Sequence, residues 1–320
     1  MPETILLGNA LSECTNLPRK RRYTRSPSGV ALASLTPVRV EILCYLAELR
    51  FLSLPQIARL CCPSERQDLS EKSTRRHMRT LFDSGLVGVL PVTRAAIASF
   101  DIPNDASLLY GSAPNIYILT KSGSETLQNA GLIGWQDAGR RKANYGPKNS
   151  LFLAHELAVR DVRVWLERSA RTVGHVIEYW FDGQAAVIDM EAIRGSTVVR
   201  PDAWFVYRLG EVVLVGLVEV DRGTERGHQR WIEKIAAYSL LFESGELLTV
   251  TGYRNARLLI ATSNGQRRDQ LLTFIEEFAQ PSLASRIWLS SHAELTTSDL
   301  TSDIWRRPYY QTPQRLIHPG

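Results

Sequence analysis

The stretch VEVDRGTERG, residues 218–227, closes an apolar run with two acids, Glu219 and Asp221, separated by one valine. Alternate side chains of a strand share a face, so both carboxylates point the same way. Neighbouring carboxylates repel unless a cation, a proton or an arginine separates them. A third acid, Asp202, stands in VRPDAWFVY (199–207), and the turn Arg208-Leu209-Gly210 folds that segment back on EVVLVGLVEVD (211–221). In an antiparallel hairpin those two ends meet. The expectation is that Asp202, Glu219 and Asp221 gather around one Mg²⁺ or Mn²⁺, a hard ion that prefers carboxylate oxygen and water. That chemistry points to hydrolysis of a phosphodiester.

The elements that position these acids can be read from periodicity. SLFLAHELAVRDVRVWLERSA (150–170) is a helix with Leu151, His155, Val159, Val162 and Leu166 on one stripe and Arg160 and Arg163 facing away. HVIEYWF (175–181) is a strand, AAVIDM (185–190) a candidate second, and the hairpin follows. ERGHQRWIEKIAAYSLLFES (225–244) is a long helix carrying Lys234 and Tyr238. ARLLIAT (256–262) is a buried strand, followed by the helix QRRDQLLTFIEEFA (266–279) and the strand SRIWLSS (285–291). The order α-β-β-β-α-β is that of restriction-endonuclease-like folds. There the second core strand carries an Asp, often after Pro, and the third ends in an acid-x-Lys.

The front of the chain differs in charge. The net charge is +5, yet residues 1–150 carry 19 Lys and Arg against 12 Asp and Glu, and the remainder 19 against 21. A basic front half points to a polyanion, nucleic acid above all. PRKRRYTRSP (18–27) places Arg19, Lys20, Arg21 and Arg22 in a stretch too polar for a core, read as a disordered basic arm over residues 1–34. VRVEILCYLAELRF (38–51) follows the cap pair Thr36-Pro37 and buries residues 42, 43, 46 and 49; SLPQIARLC (53–61) is a second helix with a serine cap. SEKSTRRHMRTLFDSGLV (70–87) is a third, with Met78, Leu81 and Phe82 inward and Lys72, Arg75, Arg76 and Arg79 as the cations that would meet DNA. LVGVLPV (86–92) and the strand in NIYILTKSGSETL (115–127) complete the hairpin of a winged helix-turn-helix, whose third helix enters a major groove. The winged helix spans 35–134, a Gly/Asn/Ser-rich linker 135–149 and the endonuclease-like domain 150–320, an α+β or α/β organisation.

The combination RPDAWF (200–205) and VEVDRGTE (218–225), with Lys234 and Tyr238 on the next helix, resembles the replication-relaxation family, proteins encoded by plasmids and integrating elements. The helix LAHELAVRDVRVWL (153–166) and the preceding winged-helix pattern resemble it as well, so the likeness covers nearly everything after the basic arm. It implies DNA binding, a role in replication or mobilisation of a mobile element, and a nuclease-like second domain. One departure matters: Asp221 stands where nucleases of this fold place Lys, which positions the attacking water and stabilises charge on the phosphate. Three readings stay open. Lys234 reaches the site as a migrated lysine; or Asp221 ligates the metal and Arg222 or Arg226 meets the phosphate; or the site is dead and Asp221 pairs with Arg200 or Arg222. Asp202, Glu219, Asp221 and Lys234 are therefore the candidate catalytic residues. His155 reads better as a core histidine than as a base, Tyr238 better as a packed aromatic than as a nucleophile. Glu156 is equally an exposed acid or a helix-borne ligand.

Composition narrows the remaining classes. Hydrophobic content of 44% and charged content of 22% are ordinary for a folded soluble protein, and no apolar run nears the roughly 20 residues of a bilayer span. The start lacks the charged-then-apolar order of a signal peptide, so the bacterial cytoplasm is the expected location. Cys14, Cys44, Cys61 and Cys62 form no C-x-x-C pair and have no histidine cluster near them, which favours reduced thiols over a zinc site. No Gly-rich phosphate loop or Ser-His-Asp arrangement supports a small-molecule enzyme. The expected activity is a Mg²⁺-dependent endonuclease, a nickase, placed on double-stranded DNA by the winged helix. The alternative is a non-catalytic replication accessory or regulator with a degenerate nuclease domain. A homodimer is left open by the sequence.

Overall fold

Residue Ser53 shows how local sequence sets the first elements. Its backbone N–H donates to Gln56 Oε1 at 2.9 Å and its hydroxyl accepts from Gln56 N, a reciprocal cap that starts α2 (Leu54–Cys61) directly after β1 (Phe51–Ser53). The computed structural model describes residues 35–64, 66–90, 92, 115–134, 150–190, 197–223 and 229–317. The basic arm, the 135–149 linker and Arg226 lie outside them.

Before β1 runs α1 (Pro37–Leu49), which buries Ile42, Leu43, Leu46 and Leu49 as its spacing requires. Thr36 stands at its N-cap without a side-chain capping bond, so the fixed φ of Pro37 starts this helix alone. After α2 come α3 (Gln67–Asp83), β2 (Val87–Leu90), β3 (Ile116–Leu119) and α4 (Lys121–Asn129). The strands form one antiparallel sheet in the order β1-β3-β2. Strand β1 has no sequence signature of its own, because three residues are too few to show a period.

The long helix α5 (Ser150–Val173) leads into β4 (Val176–Asp182), a short two-stranded ribbon of β5 (Ile188–Met190) and β6 (Thr197–Val199), and the hairpin β7 (Ala203–Leu209) and β8 (Val212–Asp221). Then follow α6 (Gln229–Ser244), α7 (Glu246–Thr251), β9 (Arg257–Thr262), α8 (Gly265–Phe278), α9 (Pro281–Ala284), β10 (Ile287–Ser291) and α10 (His292–Thr297). The hairpin turns two residues later than expected, at Gly210-Glu211, where Gly210 takes φ +52°. The main sheet runs β10-β9-β8-β7-β4; β8, β9 and β10 are parallel, while β7 and β4 are antiparallel to their neighbours. Strand β5 belongs to the ribbon and not to this sheet.

Both faces of the five-stranded sheet are covered, giving a mixed α+β architecture. Trp204, Val206, Val215, Leu217 and Ile260 pack against Trp231, Ile235 and Tyr238 of α6 and Leu271 and Ile275 of α8. Phe205, Tyr207, Val218, Val220 and Leu259 pack against Val159, Val162, Trp165 and Leu166 of α5. Gly216 pairs with Phe205, and a Cβ there would stand 2.3 Å from the Phe205 ring, so this position is glycine for space.

Helix α5 corrects one expectation. Arg160 and Arg163 are not solvent-facing: they are 1% and 5% exposed. The far side of α5 rests on the front half, where Leu153 and Leu157 meet Phe51 and Ile116. Arg160 Nε donates to the Leu49 carbonyl at 2.8 Å and its guanidinium lies 3.9 Å over the Phe51 ring. Gln56 Nε2 donates to the Leu157 carbonyl, also at 2.8 Å. Among the described residues no helix is long and apolar enough to cross a membrane.

Candidate functional site

Strand alternation decides where the acids go. On β8 the even residues face α5 and the odd ones face α6, so Glu219 and Asp221 continue the face of Val215 and Leu217. Asp202 precedes β7, with its backbone N–H donating to the Val218 carbonyl at 2.9 Å. The hairpin therefore does bring Asp202 to the end of β8, and its Oδ2 accepts from Val220 N at 2.7 Å.

Each acid then meets a different donor. Helix α6 presents Trp231, Lys234 and Tyr238 on one stripe, spaced three and four residues apart. Lys234 Nζ donates to Glu219 Oε2, and Tyr238 Oη donates to Glu219 Oε1 at 2.6 Å. Trp231 Nε1 donates to Asp221 Oδ2 at 2.8 Å. Arg267, in the first turn of α8, forks onto the same carboxylate at 3.2 and 2.8 Å, and Gly223 N adds a bond of 2.7 Å. His155 Nε2 lies 2.8 Å from Asp202 Oδ1.

The electrostatics follow this partnering. Burial pushes the Glu219 carboxyl up to about 7; Lys234 offsets part of that rise, and the neighbouring charge of Asp202 adds to it. Asp202 is held below its usual value: burial acts upward but the His155 bond, the charge of Lys234 and Val220 N outweigh it. Asp221 is also held low, burial being overcome by Arg267, Gly223 N and Trp231. Tyr238, fully buried beside Glu219, is pushed well above the ordinary phenol value. It is a packed aromatic donor.

Two of these acids border a cavity of about 460 Å³ lined by Asp202 and Asp221 and by His155, Arg222, Arg230, Lys234 and Arg267. Lys and Arg side chains outnumber carboxylates in this lining, although Lys234 and Arg267 are answered by Glu219 and Asp221; such groups are of the kind that bind phosphate. Glu219, 1% exposed, lies behind Lys234 and does not line it.

Several candidates change role. Lys234 bonds Glu219, and its charge also lowers the Asp202 pKa. Asp221 pairs with Arg267 and not with Arg200 or Arg222. His155 is not a core residue; it is partly exposed at the cavity wall. Glu156 turns to Arg50 and Arg160, at 3.7 and 3.5 Å, and away from the other acids. Arg267 went unnoticed in the sequence. Its signal is indirect: the parallel register sets Asp221 opposite Thr262, so the helix start after β9 must lie beside Asp221.

A divalent cation was expected here. Mg²⁺ is usually held by one or two carboxylates with water, so Asp202 and Glu219 are right in kind. As placed, each of their four oxygens accepts one bond, from His155, Val220 N, Lys234 and Tyr238, so a cation would share these carboxylates with four donors of the chain. Among the described residues no group of three His, Cys, Asp or Glu is arranged to hold a metal.

On α3, Lys72, Arg75, Arg76 and Arg79 are exposed, Arg75 paired with Glu71 at 2.7 Å and Arg79 with Asp83 at 2.8 Å. Arg19, Lys20, Arg21 and Arg22 lie outside the described residues.

Comparison with known proteins gives a family and a distant structural likeness. A search of curated proteins found no match. The structure of restriction endonuclease FokI is similar at a TM-score of 0.27 and 14% identity, over 86% of this chain and 47% of that one. The chain thus spans about half the length of that enzyme. Residues 43–254 match the profile of the family described as replication-relaxation, two thirds of the chain by length. The chain belongs to the replication-relaxation family.

Proposed function

We propose that this protein binds double-stranded DNA in the replication or mobilisation of a mobile genetic element, in the bacterial cytoplasm. Residues 35–134 act as a winged helix, and residues 150–320 as a restriction-endonuclease-like domain that grips the phosphate backbone. Family membership supports a role in DNA processing. The order α1-β1-α2-α3-β2-β3 with sheet order β1-β3-β2 supports the winged helix, with α3 and its outward cations as the reading helix. The Lys and Arg side chains that line the cavity beside Asp202 support a backbone contact in the second half.

The observation that favours binding over cutting is that each oxygen of Asp202 and Glu219 already accepts a bond from a donor of the chain. In a nuclease those oxygens serve water and metal, whereas here Lys234, Tyr238, His155 and Val220 N each donate to one of them. We therefore favour the non-catalytic reading. The runner-up, Mg²⁺- or Mn²⁺-dependent nicking with Lys234 as the migrated lysine, is favoured by one fact: Lys234 bonds Glu219 and lines the same cavity as Asp202. Supercoiled plasmid incubated with and without either metal separates the two. Duplex binding without nicking is expected; metal-dependent nicking abolished by Asp202→Asn would replace this reading by the runner-up. Loss of duplex binding altogether would remove both.

A further inference from the structure

Residues β8, β9 and β10 begin at the end of the sheet opposite Asp202, and there a second cavity of about 880 Å³ opens, lined by Arg257, Arg286, Arg307 and Trp288 among others. The three arginines are held without acids. Arg257 Nη1 donates to the Leu316 carbonyl, Arg286 Nη1 to Asn255 Oδ1 at 3.2 Å, and Arg307 Nη2 to the Ser285 carbonyl at 3.0 Å. Their guanidinium groups lie on rings: Arg257 and Arg307 each 4.4 Å from the Trp288 centroid, and Arg286 4.8 Å from that of Phe242.

Several arginines of this half are neutralised by acids. Arg267 pairs with Asp221, Arg268 with Asp269 and Glu294, Arg208 with Glu178 and Arg315 with Asp303. Among the described residues none of Arg257, Arg286 and Arg307 has such a partner. Burial, and then the charge of Arg307, lower the Arg257 pKa. Like charges gathered in one concave, part-buried place favour an anion that spreads over all three.

The rim adds a second feature. Tyr310 is 48% exposed and carries the Arg307 guanidinium 4.3 Å from its ring centroid; Tyr309 is 61% exposed. Tyr309 takes φ +66°, uncommon for a tyrosine, and Glu276 holds it there by accepting from both its N–H at 2.7 Å and, through its carbonyl, its hydroxyl at 3.0 Å. The fold thus fixes two aromatic rings at the surface beside unpaired arginines. Rings stack on bases that are not already paired, and guanidinium groups take phosphate.

We propose that this end of the sheet binds single-stranded DNA, Arg257, Arg286 and Arg307 taking backbone phosphates while Tyr309 and Tyr310 stack on unpaired bases. The site is independent of α3 and of the cavity beside Asp202. It gives a protein that holds duplex DNA by its front half a place for a displaced strand.

Fluorescence anisotropy of the full chain with a labelled oligothymidylate of roughly 15 nucleotides tests this. The double variant Arg286→Gln/Arg307→Gln is expected to bind it about tenfold more weakly or worse, with the salt slope reduced by about 1.4. Tyr310→Ala is expected to lose about tenfold with an unchanged slope, and Tyr310→Phe to keep wild-type binding. Duplex affinity is expected to stay constant in all three, because the reading helix is untouched. Unchanged oligothymidylate affinity in the double variant and in Tyr310→Ala overturns the proposal. So does an equal loss on duplex and single strand, which would mean general charge attraction. If the double variant does not fold, Tyr310→Ala, at an exposed ring, carries the test. Failure here with duplex binding intact leaves the function proposed above standing.

Discussion

Lys234 and Glu219 form the hinge of the candidate site: the ammonium of α6 rests on a carboxylate that is 1% exposed at the end of β8. The buried charge is compensated by a residue of the chain itself, with Tyr238 closing the other oxygen. Breaking a buried pair from one side costs about 3–5 kcal/mol, whereas replacing both partners by neutral groups is often close to neutral. Lys234→Met is therefore expected to destabilise the protein by roughly that amount at pH 8, and by less at pH 5, where Glu219 escapes by taking a proton. Glu219→Gln/Lys234→Met should recover most of the loss. Urea unfolding of the two singles and the double at both pH values checks this; additive losses would mean the two residues are not coupled.

The pH dependence of stability follows from the same carboxyl. Burial, with Asp202 adding its charge, raises Glu219 from 4.5 to about 7. Between those values the folded state holds a proton that the unfolded state has released. Stability from this group is thus complete below about 4.5 and falls as pH rises through about 7, by up to roughly 3 kcal/mol. Asp202 and Asp221 are shifted the other way, so their contribution is lost only as pH falls below the ordinary aspartate value of 3.8. Glu219→Gln is expected to flatten the profile between pH 4.5 and 7.5 and to leave the acid limb unchanged. Urea midpoints across that range give the answer, and an unchanged slope in the variant would assign it to other groups.

The sequence carried the faces of the acids well, because Glu219 and Asp221 are separated by one residue at a strand end, where alternation puts them on one side. It also placed Lys234 beside Glu219, since a helix after the strand must pack back on the sheet. What escaped was the choice of partner. Asp221 is answered by Arg267, which is 46 residues away and arrives only through parallel pairing of β8 with β9. Arg160 and Arg163 looked solvated because a charged stripe on a lone helix normally is; α5 instead has a sheet on each side, and no periodicity reports the second. His155 shared a stripe with apolar residues, yet at the first turns of α5 that stripe has run past the sheet and reaches the cavity.

Duplex binding should not be shared evenly along α3. Arg75 and Arg79 are engaged with Glu71 and Asp83, exposed pairs that are themselves worth only about 0–1 kcal/mol but must be broken or shared to meet phosphate. Lys72 and Arg76 form no ion pair among the described residues. Arg76→Ala is expected to weaken duplex binding more than Arg75→Ala or Arg79→Ala, with a salt slope lower by about one unit if the contact is to phosphate. A salt titration of duplex affinity for the three variants decides; equal effects from all three would show that the pairs open without cost.

The last expectation concerns the joint between the two halves. Arg160, 1% exposed, donates to the Leu49 carbonyl at 2.8 Å, to the Glu156 carbonyl at 2.8 Å, and covers the Phe51 ring. Leu49 ends α1, where backbone carbonyls lack partners within the helix, so Arg160 acts as a C-terminal cap supplied by another part of the chain. Burial lowers its pKa to about 10, with Asp182 and Glu156 restoring part of the charge preference. Arg160→Met keeps the apolar stem but leaves that carbonyl without its donor and the Glu156 carboxylate with Arg50 alone. A cost of about 2–4 kcal/mol is expected, with hydrogen exchange rising first at the end of α1 and in β1 and not in the β7–β8 hairpin. The Asp202 site should stay formed, since His155 and Val220 hold it from within the back half. If exchange rose equally in β8, Arg160 would be part of the common core and not a joint between the halves.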